Sequence, residues 1–144
     1  MSAFSNYLEN AIINWAFNNT AMPTQLATVY VSLHTADPAE TGANEIVVGA
    51  TNYARVAVAA AGWTKNASNP ATATNAAEIA FPTSGTVTWS ATTGSGVTHV
   101  GIWDAQIGVG TPNFLFGGAL TTPKIVNVGD VFKFTATNLT ITVA

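Results

Sequence analysis

Several separate stretches of this chain alternate apolar with small polar residues at a period of two, and that pattern leaves few folds open. In "LATVYVSLHT", Ala27, Val29, Val31 and Leu33 alternate with Thr28, Tyr30, Ser32 and His34. In "NYARVAVA", Ala54, Val56 and Val58 fall on one side, with Tyr53 and Arg55 on the other. In "LTITVA", Leu139, Ile141 and Val143 are set against threonines. Successive side chains of a strand point to opposite faces, so each stretch reads as a strand with one apolar face. "AEIAFP", "TVTWS", "VTHVGIWDA", "FLFGGAL" and "VFKFTA" add further strands. Turn signals separate them: Pro82–Gly85, "TTGSG", "QIGVGTPN" and Asn127–Asp130. About eight short strands at close spacing, with no strand–helix–strand alternation, predict a mainly β fold, an antiparallel β-sandwich over residues 25–144. Gly117 and Gly118 inside "FLFGGAL" predict a bulge or the close approach of another backbone. "GWTKNASNPATATN" reads as a long polar loop or a protruding hairpin, and "ADPAETGANE" as an exposed loop.

One segment has a different period. Phe4, Leu8, Ala11, Ile12, Trp15 and Ala16 recur at three- and four-residue steps, which gives an amphipathic α-helix within residues 1–20. Ser2 or Ser5 caps its start, and Asn18, Asn19 and Pro23 stop it. With 144 residues and neither a repeat nor a second compositional region, the chain is expected to form one domain, 1–144.

Composition bounds the function. The chain is 48% hydrophobic and 8% charged, against roughly 25% charged in an average globular protein. It holds 22 threonines, a residue that suits a half-buried pleated surface. A lone protein with so few charges is poorly defended against association, so much of its surface is expected to face other protein. The four cations, Arg55, Lys65, Lys124 and Lys133, are scattered, which argues against nucleic-acid binding. There is no cysteine, hence no disulfide, thiolate metal site or cysteine nucleophile. The first twenty residues lack a basic leader and a long apolar run, and no stretch approaches the ~18 apolar residues of a membrane span. The chain is expected to be made in the cytoplasm and to join an assembly, without membrane contact.

The search for chemistry yields little. His34 and His99 are the only imidazoles, and both fall in predicted strands without ligand spacing, so each reads as a structural histidine in preference to a site with Asp37 or Asp104. There is no nucleophile elbow and no phosphate-binding glycine loop followed by a helix. Asp104 and Asp130 sit at strand–turn junctions, where a carboxylate accepts from local backbone N–H groups. No enzyme activity, cofactor or metal is expected. Trp89 and Trp103 read as core residues. Trp63, following a glycine and opening a polar stretch, is the tryptophan expected to be exposed or in contact with a partner.

In order along the chain, "SNYLENAIINW", "VYVSLHTADPAETG", "NYARVAV", "AEIAFPTSGTVTW", "VTHVGIWDA" and "FLFGGALTTPKIVNVGDVFKFTATNLTITV" resemble a family of small virion proteins of tailed bacteriophages. Members are described as tail-fibre-like or head-decoration proteins. The chain departs from the usual pattern at "VVGATNYAR", where a fuller glycine pair is normal, and at the longer turn "QIGVGTPN". The resemblance implies a non-enzymatic structural component of the particle. The short chain without a fibrous shaft favours a decoration or cement protein on the capsid, bound to the major capsid protein and to copies of itself as a homotrimer. The alternative is a tail-fibre, tail-tip or baseplate component in contact with other tail proteins or a host receptor. Within that reading, three groups are expected to touch partners: Phe4, Tyr7, Leu8 and Trp15 of the helix; Asp37, Glu40 and Glu45 of the acidic loop; and Trp63 and Lys65 of the "GWTKN" stretch.

Overall fold

The alternating stretches pair into sheets. The computed structural model of the chain describes residues 3–46, 52–91 and 96–143. A two-residue strand β1 (Ala3–Phe4) leads into helix α1 (Asn6–Phe17), followed by β2 (Thr28–His34), β3 (Val56–Ala59), β4 (Trp63–Asn66), β5 (Ala71–Asn75), β6 (Ile79–Phe81), β7 (Val97–Trp103), β8 (Phe114–Lys124), β9 (Phe132–Phe134) and β10 (Thr140–Val143). A large sheet runs β1-β8-β7-β2-β3, and two small ones run β10-β5-β4 and β6-β9. Every pairing is antiparallel.

Register decides which side of the large sheet becomes core. Val31 lies opposite Val56 on one neighbour and Ile102 on the other, Leu33 opposite Val100, and Ile102 opposite Phe116. These residues share a face, and that face packs on Trp63, Ile79, Phe81, Phe132, Phe134 and Leu139 of the small sheets. Each such side chain removed from water contributes roughly 1.5–3 kcal/mol. The result is the sandwich that the alternation predicts.

The two small sheets form one layer because of Asn75, which is fully buried. Its side-chain N–H₂ donates to the carbonyls of Ala77 (2.8 Å) and Thr135 (2.9 Å), and its side-chain oxygen accepts from the Leu139 N–H (2.8 Å). A buried amide keeps its place only when its polar atoms are met. Here that condition fixes the turn after β5 against the turn before β10.

The structure departs from the sequence expectations at "TVTWS" and at Trp63, and it buries polar side chains whose cover alternation alone does not report. "TVTWS" is not a strand: Val87 and Trp89 enter the core from irregular backbone, and Thr88 pairs with Asn52 through three hydrogen bonds. Of the two readings of "GWTKNASNPATATN", the hairpin is the one that forms, as β4–β5, but Trp63 lies in the core, 9% exposed, and not at the surface. Tyr53 and Arg55 do not line a solvent face but are buried ahead of β3. The side of β2 that carries Ser32 and His34 is not exposed either, because residues 35–46 fold back across it. That return is tied by Thr35 N–H to the Asn44 carbonyl (3.0 Å) and Ile46 N–H to the Leu33 carbonyl (3.0 Å). Ser2 and most of the "TTGSG" turn, residues 92–95, lie outside the described residues.

Candidate functional site

Under the returning loop, polar side chains form one continuous chain of contacts. The Trp103 indole N–H donates to Ser32 Oγ (2.9 Å). Ser32 Oγ and His34 Nε2 are 2.7 Å apart, and His34 Nδ1 is 2.7 Å from the Ala43 carbonyl. A carbonyl can only accept, so Nδ1 carries the proton, Nε2 accepts from Ser32, and Ser32 in turn accepts from Trp103. Burial holds the His34 pKa below its usual 6.5, and the hydrogen bond to Ala43 partly opposes this. Packing around the chain is close. A Cβ at Gly101 would meet His34 Nε2 at 2.6 Å, Ser32 Oγ at 2.6 Å and the Phe114 ring at 2.8 Å. Gly42, in the left-handed region at φ +76°, faces the Trp103 ring in the same way.

A cation lies over the Trp103 ring. The Arg55 guanidinium lies 3.5 Å from the ring centroid and forks onto Glu45, with Nη2–Oε2 at 2.8 Å and Nε–Oε1 at 3.0 Å. Arg55 Nη1 donates to the Ala105 carbonyl (2.9 Å). The Tyr53 hydroxyl donates to Glu45 Oε1 (3.0 Å) and accepts from the Leu33 N–H (2.9 Å). Burial first, and the Glu45 carboxylate next, push the Tyr53 phenol well above its usual value of 10.

Ser32 and His34 stand at the separation of a nucleophile and its base, but both are 0% exposed, so no substrate atom reaches them. Both ring nitrogens of His34 are taken by protein partners. Among the described residues no three His, Cys, Asp or Glu side chains gather as a metal site would require. His99, opposite His34 on β7, is half-buried beside Thr98 Oγ1 (2.8 Å from Nδ1). Asp104 accepts from the Asn113 backbone and side chain (both 2.7 Å), and Asp130 from the Asn127 N–H (2.8 Å), as their turn positions imply.

The three groups of expected contact residues are placed differently. In the first group, Phe4 is half-buried and its ring packs on Phe116 (5.6 Å between centroids). Ser5 caps α1 by accepting from the Leu8 N–H (3.2 Å), and its own N–H donates to the Leu115 carbonyl (3.1 Å). Tyr7 and Leu8 are half-buried. From Ile13 onward the helix leaves the sandwich: Ile13 is 56%, Trp15 60% and Phe17 83% exposed. In the acidic loop, Asp37 and Glu40 are exposed, with Asp37 accepting from the Ala39 N–H (2.9 Å), while Glu45 is committed to Arg55. In the third group, Lys65 is exposed and its ammonium donates to the Ala60 carbonyl (3.2 Å), but the Trp63 ring is enclosed.

One feature of this surface has no sequence signature. Between the large sheet and the β4-β5-β10 sheet, an apolar groove holds a cavity of about 390 Å³, and Trp63 and Lys65 both border it. Its walls come from seven strands, β2, β3, β4, β5, β7, β8 and β10, so only pairing reveals it. Taken together, the exposed helix end, the groove and the low share of charged residues suit adhesion to other protein, and among the described residues the Ser32–His34 pair is closed to any substrate.

Comparison with known proteins agrees with that character. The family model described as Podophage GP4 fiber I protein gp80 matches residues 3–142, nearly the whole chain. No curated protein matches it.

Proposed function

The chain belongs to the gp80 fibre-protein family of phage virion structural proteins, and from that premise we propose that it is a non-enzymatic subunit of the tail fibre or its attachment, where it helps hold the host-binding apparatus together. The observation that carries this reading is the family match over residues 3–142, whose description is a fibre protein. It favours the tail over the capsid-decoration role that the short chain and missing shaft first suggested. The physical character of the surface supports an adhesive role in either place. A chain with 8% charged residues and a helix ending in exposed Trp15 and Phe17 gains free energy by covering that end with protein.

Gold labelling of purified particles with an antibody to this chain tests the location. Label confined to the tail is the expected result. Label spread over the head would restore the decoration reading, and particles free of label would remove the chain from the virion.

A further inference from the structure

The helix tip and the groove are complementary parts of the same molecule that do not meet within one chain. We propose that the tip of α1 from one copy seats in the inter-sheet groove of a second copy, joining subunits tip to groove.

The groove is shaped for apolar side chains. Val29, Val58, Ile102 and Phe116 of the large sheet form one wall, and Trp63 and Ile141 of the small sheet form the other. An apolar cavity of about 150 Å³ accommodates a benzene ring. The groove's roughly 390 Å³ therefore has room for an aromatic ring together with an aliphatic side chain.

The tip is short of cover. From Ala11 to Phe17 the helix has one polar residue, Asn14, so its end is apolar on all sides, which is the pattern of a buried helix. None of the twelve residues of α1 is buried in its own chain. A helix of about that length is marginal in water unless something packs against it. Its anchor is at the other end, where β1 pairs with β8 and Ser5 caps the first turn.

Charge also matches. The last turn of α1 has no basic residue: the Asn14 carbonyl accepts from the Asn18 and Thr20 N–H groups, but no side-chain cation faces the negative end of the dipole from within the helix. The groove offers the Lys65 ammonium at its rim and no acidic side chain in its walls. Trp63 adds an indole N–H that is buried and has no acceptor among the described residues. An acidic partner peptide would answer Lys65 equally well but would not need an apolar slot of this size, whereas the tip of a second copy answers both.

Tip and groove are different surfaces, so the contact is head to tail and builds a ring or a continuing row, depending on the rotation at each step. The inference concerns copies of the chain in solution and stands or falls apart from the chain's place on the particle.

Sedimentation velocity on the purified full chain tests it, with two variants at exposed positions outside the core. Phe17→Asp spoils the tip, and Leu26→Asp spoils the groove rim, where Leu26 is 39% exposed on irregular backbone. The wild type is expected to associate in the micromolar range and each variant alone to remain monomeric. An equimolar mixture of the two should form a one-to-one dimer, because the intact tip of one meets the intact groove of the other. Lys65→Glu, which places a carboxylate against the helix end, should weaken association about tenfold. A wild type that stays monomeric at 100-micromolar concentration (on the order of the weakest useful contact) overturns the proposal. So does a Leu26→Asp protein that assembles like the wild type, or a mixture that fails to pair.

Discussion

Replacing Gly101 by alanine adds one carbon where three buried side chains already meet. The new methyl would lie 2.6 Å from both His34 Nε2 and Ser32 Oγ and 2.8 Å from the Phe114 ring. None of these atoms can step aside alone. His34 is pinned to the Ala43 carbonyl at 2.7 Å, Ser32 is held by the Trp103 indole at 2.9 Å, and both residues are 0% exposed. Either β7 moves away from β2, or the imidazole turns out of its two hydrogen bonds. Overpacking costs about 1–3 kcal/mol, and each buried polar atom left unmet costs about 1–3 kcal/mol more. The sum, about 3–5 kcal/mol, is a large part of the roughly 5–15 kcal/mol that holds a domain folded. With a urea slope of about 2 kcal/mol/M, the unfolding midpoint should fall by about 1.5–2.5 M. Gly85→Ala gives the contrast. Nothing lies within 4 Å of its Cβ position, but its φ is +75°, so it pays left-handed strain alone, about 1 kcal/mol. A Gly101→Ala midpoint within 0.5 M of wild type, on the order of 1 kcal/mol at that slope, would refute the claim that this site is closed.

Three further perturbations follow from the same buried groups. Asn75→Ala removes three side-chain hydrogen bonds at the junction of the two small sheets; it should cost about 2–4 kcal/mol by urea unfolding and speed amide exchange in β10. Arg55→Lys keeps the charge but loses the fork onto Glu45 and the planar stack on Trp103; a loss of about 2–3 kcal/mol is expected, measured the same way. The His34 pKa is held down in the folded state, chiefly by burial, so near and below pH 6.5 the unfolded chain binds more protons than the folded one. Stability is therefore level above about pH 6.5 and falls below it, by at most about 1.4 kcal/mol per pH unit, until the folded-state pKa is passed. Unfolding free energies from pH 7.5 to 5 should show that slope in the wild type and lose it in His34→Gln.

The strands were legible because alternation reports one buried face directly, and β2, β7 and β10 lie where Val29–Leu33, Val97–Trp103 and Leu139–Val143 put them. The helix was legible for the same reason at its own period, and Ser5 as its cap followed from the chemistry of an N-terminus. What alternation could not report is a second burial. Ser32 and His34 look like solvent positions because they are polar, and only the return of residues 35–46 covers them. Trp63 is placed wrongly for a related reason: the polar residues after it, Thr64 to Asn69, fit a loop or a protruding hairpin equally, and the hairpin that forms has its first residue facing inward. Val87 and Trp89 alternate like a strand, yet the backbone there makes only scattered bonds, with Val87 N–H donating to the Asp130 carbonyl (2.8 Å) and the Val87 carbonyl accepting from the Gly129 N–H (2.9 Å). Side-chain period shows which residues are buried, but not whether a neighbouring backbone runs alongside far enough to form a ladder.

The distribution of polarity ties these observations to function. Of four cations, Arg55 is buried against Glu45, and Lys133 pairs with Glu78 at 2.9 Å on the surface, where such a pair contributes little. The strongest polar interactions of the chain are thus internal, holding the 35–46 loop on the large sheet, while Trp15 and Phe17 stand in water on the helix end. Most large aromatics of the chain, Trp63, Trp89 and Trp103 among them, are buried as in any soluble protein, so the exposed pair on the helix end is the exception. That exposure becomes favourable where other protein covers it. The internal network then has a clear part to play: it fixes the loop and sheet that anchor α1 through Asn6 N–H to the Glu40 carbonyl (3.4 Å) and Ser5 N–H to the Leu115 carbonyl (3.1 Å). On the docking proposed above, a helix presented from so firm a base would lose less conformational freedom, leaving more of its apolar contact energy for the contact.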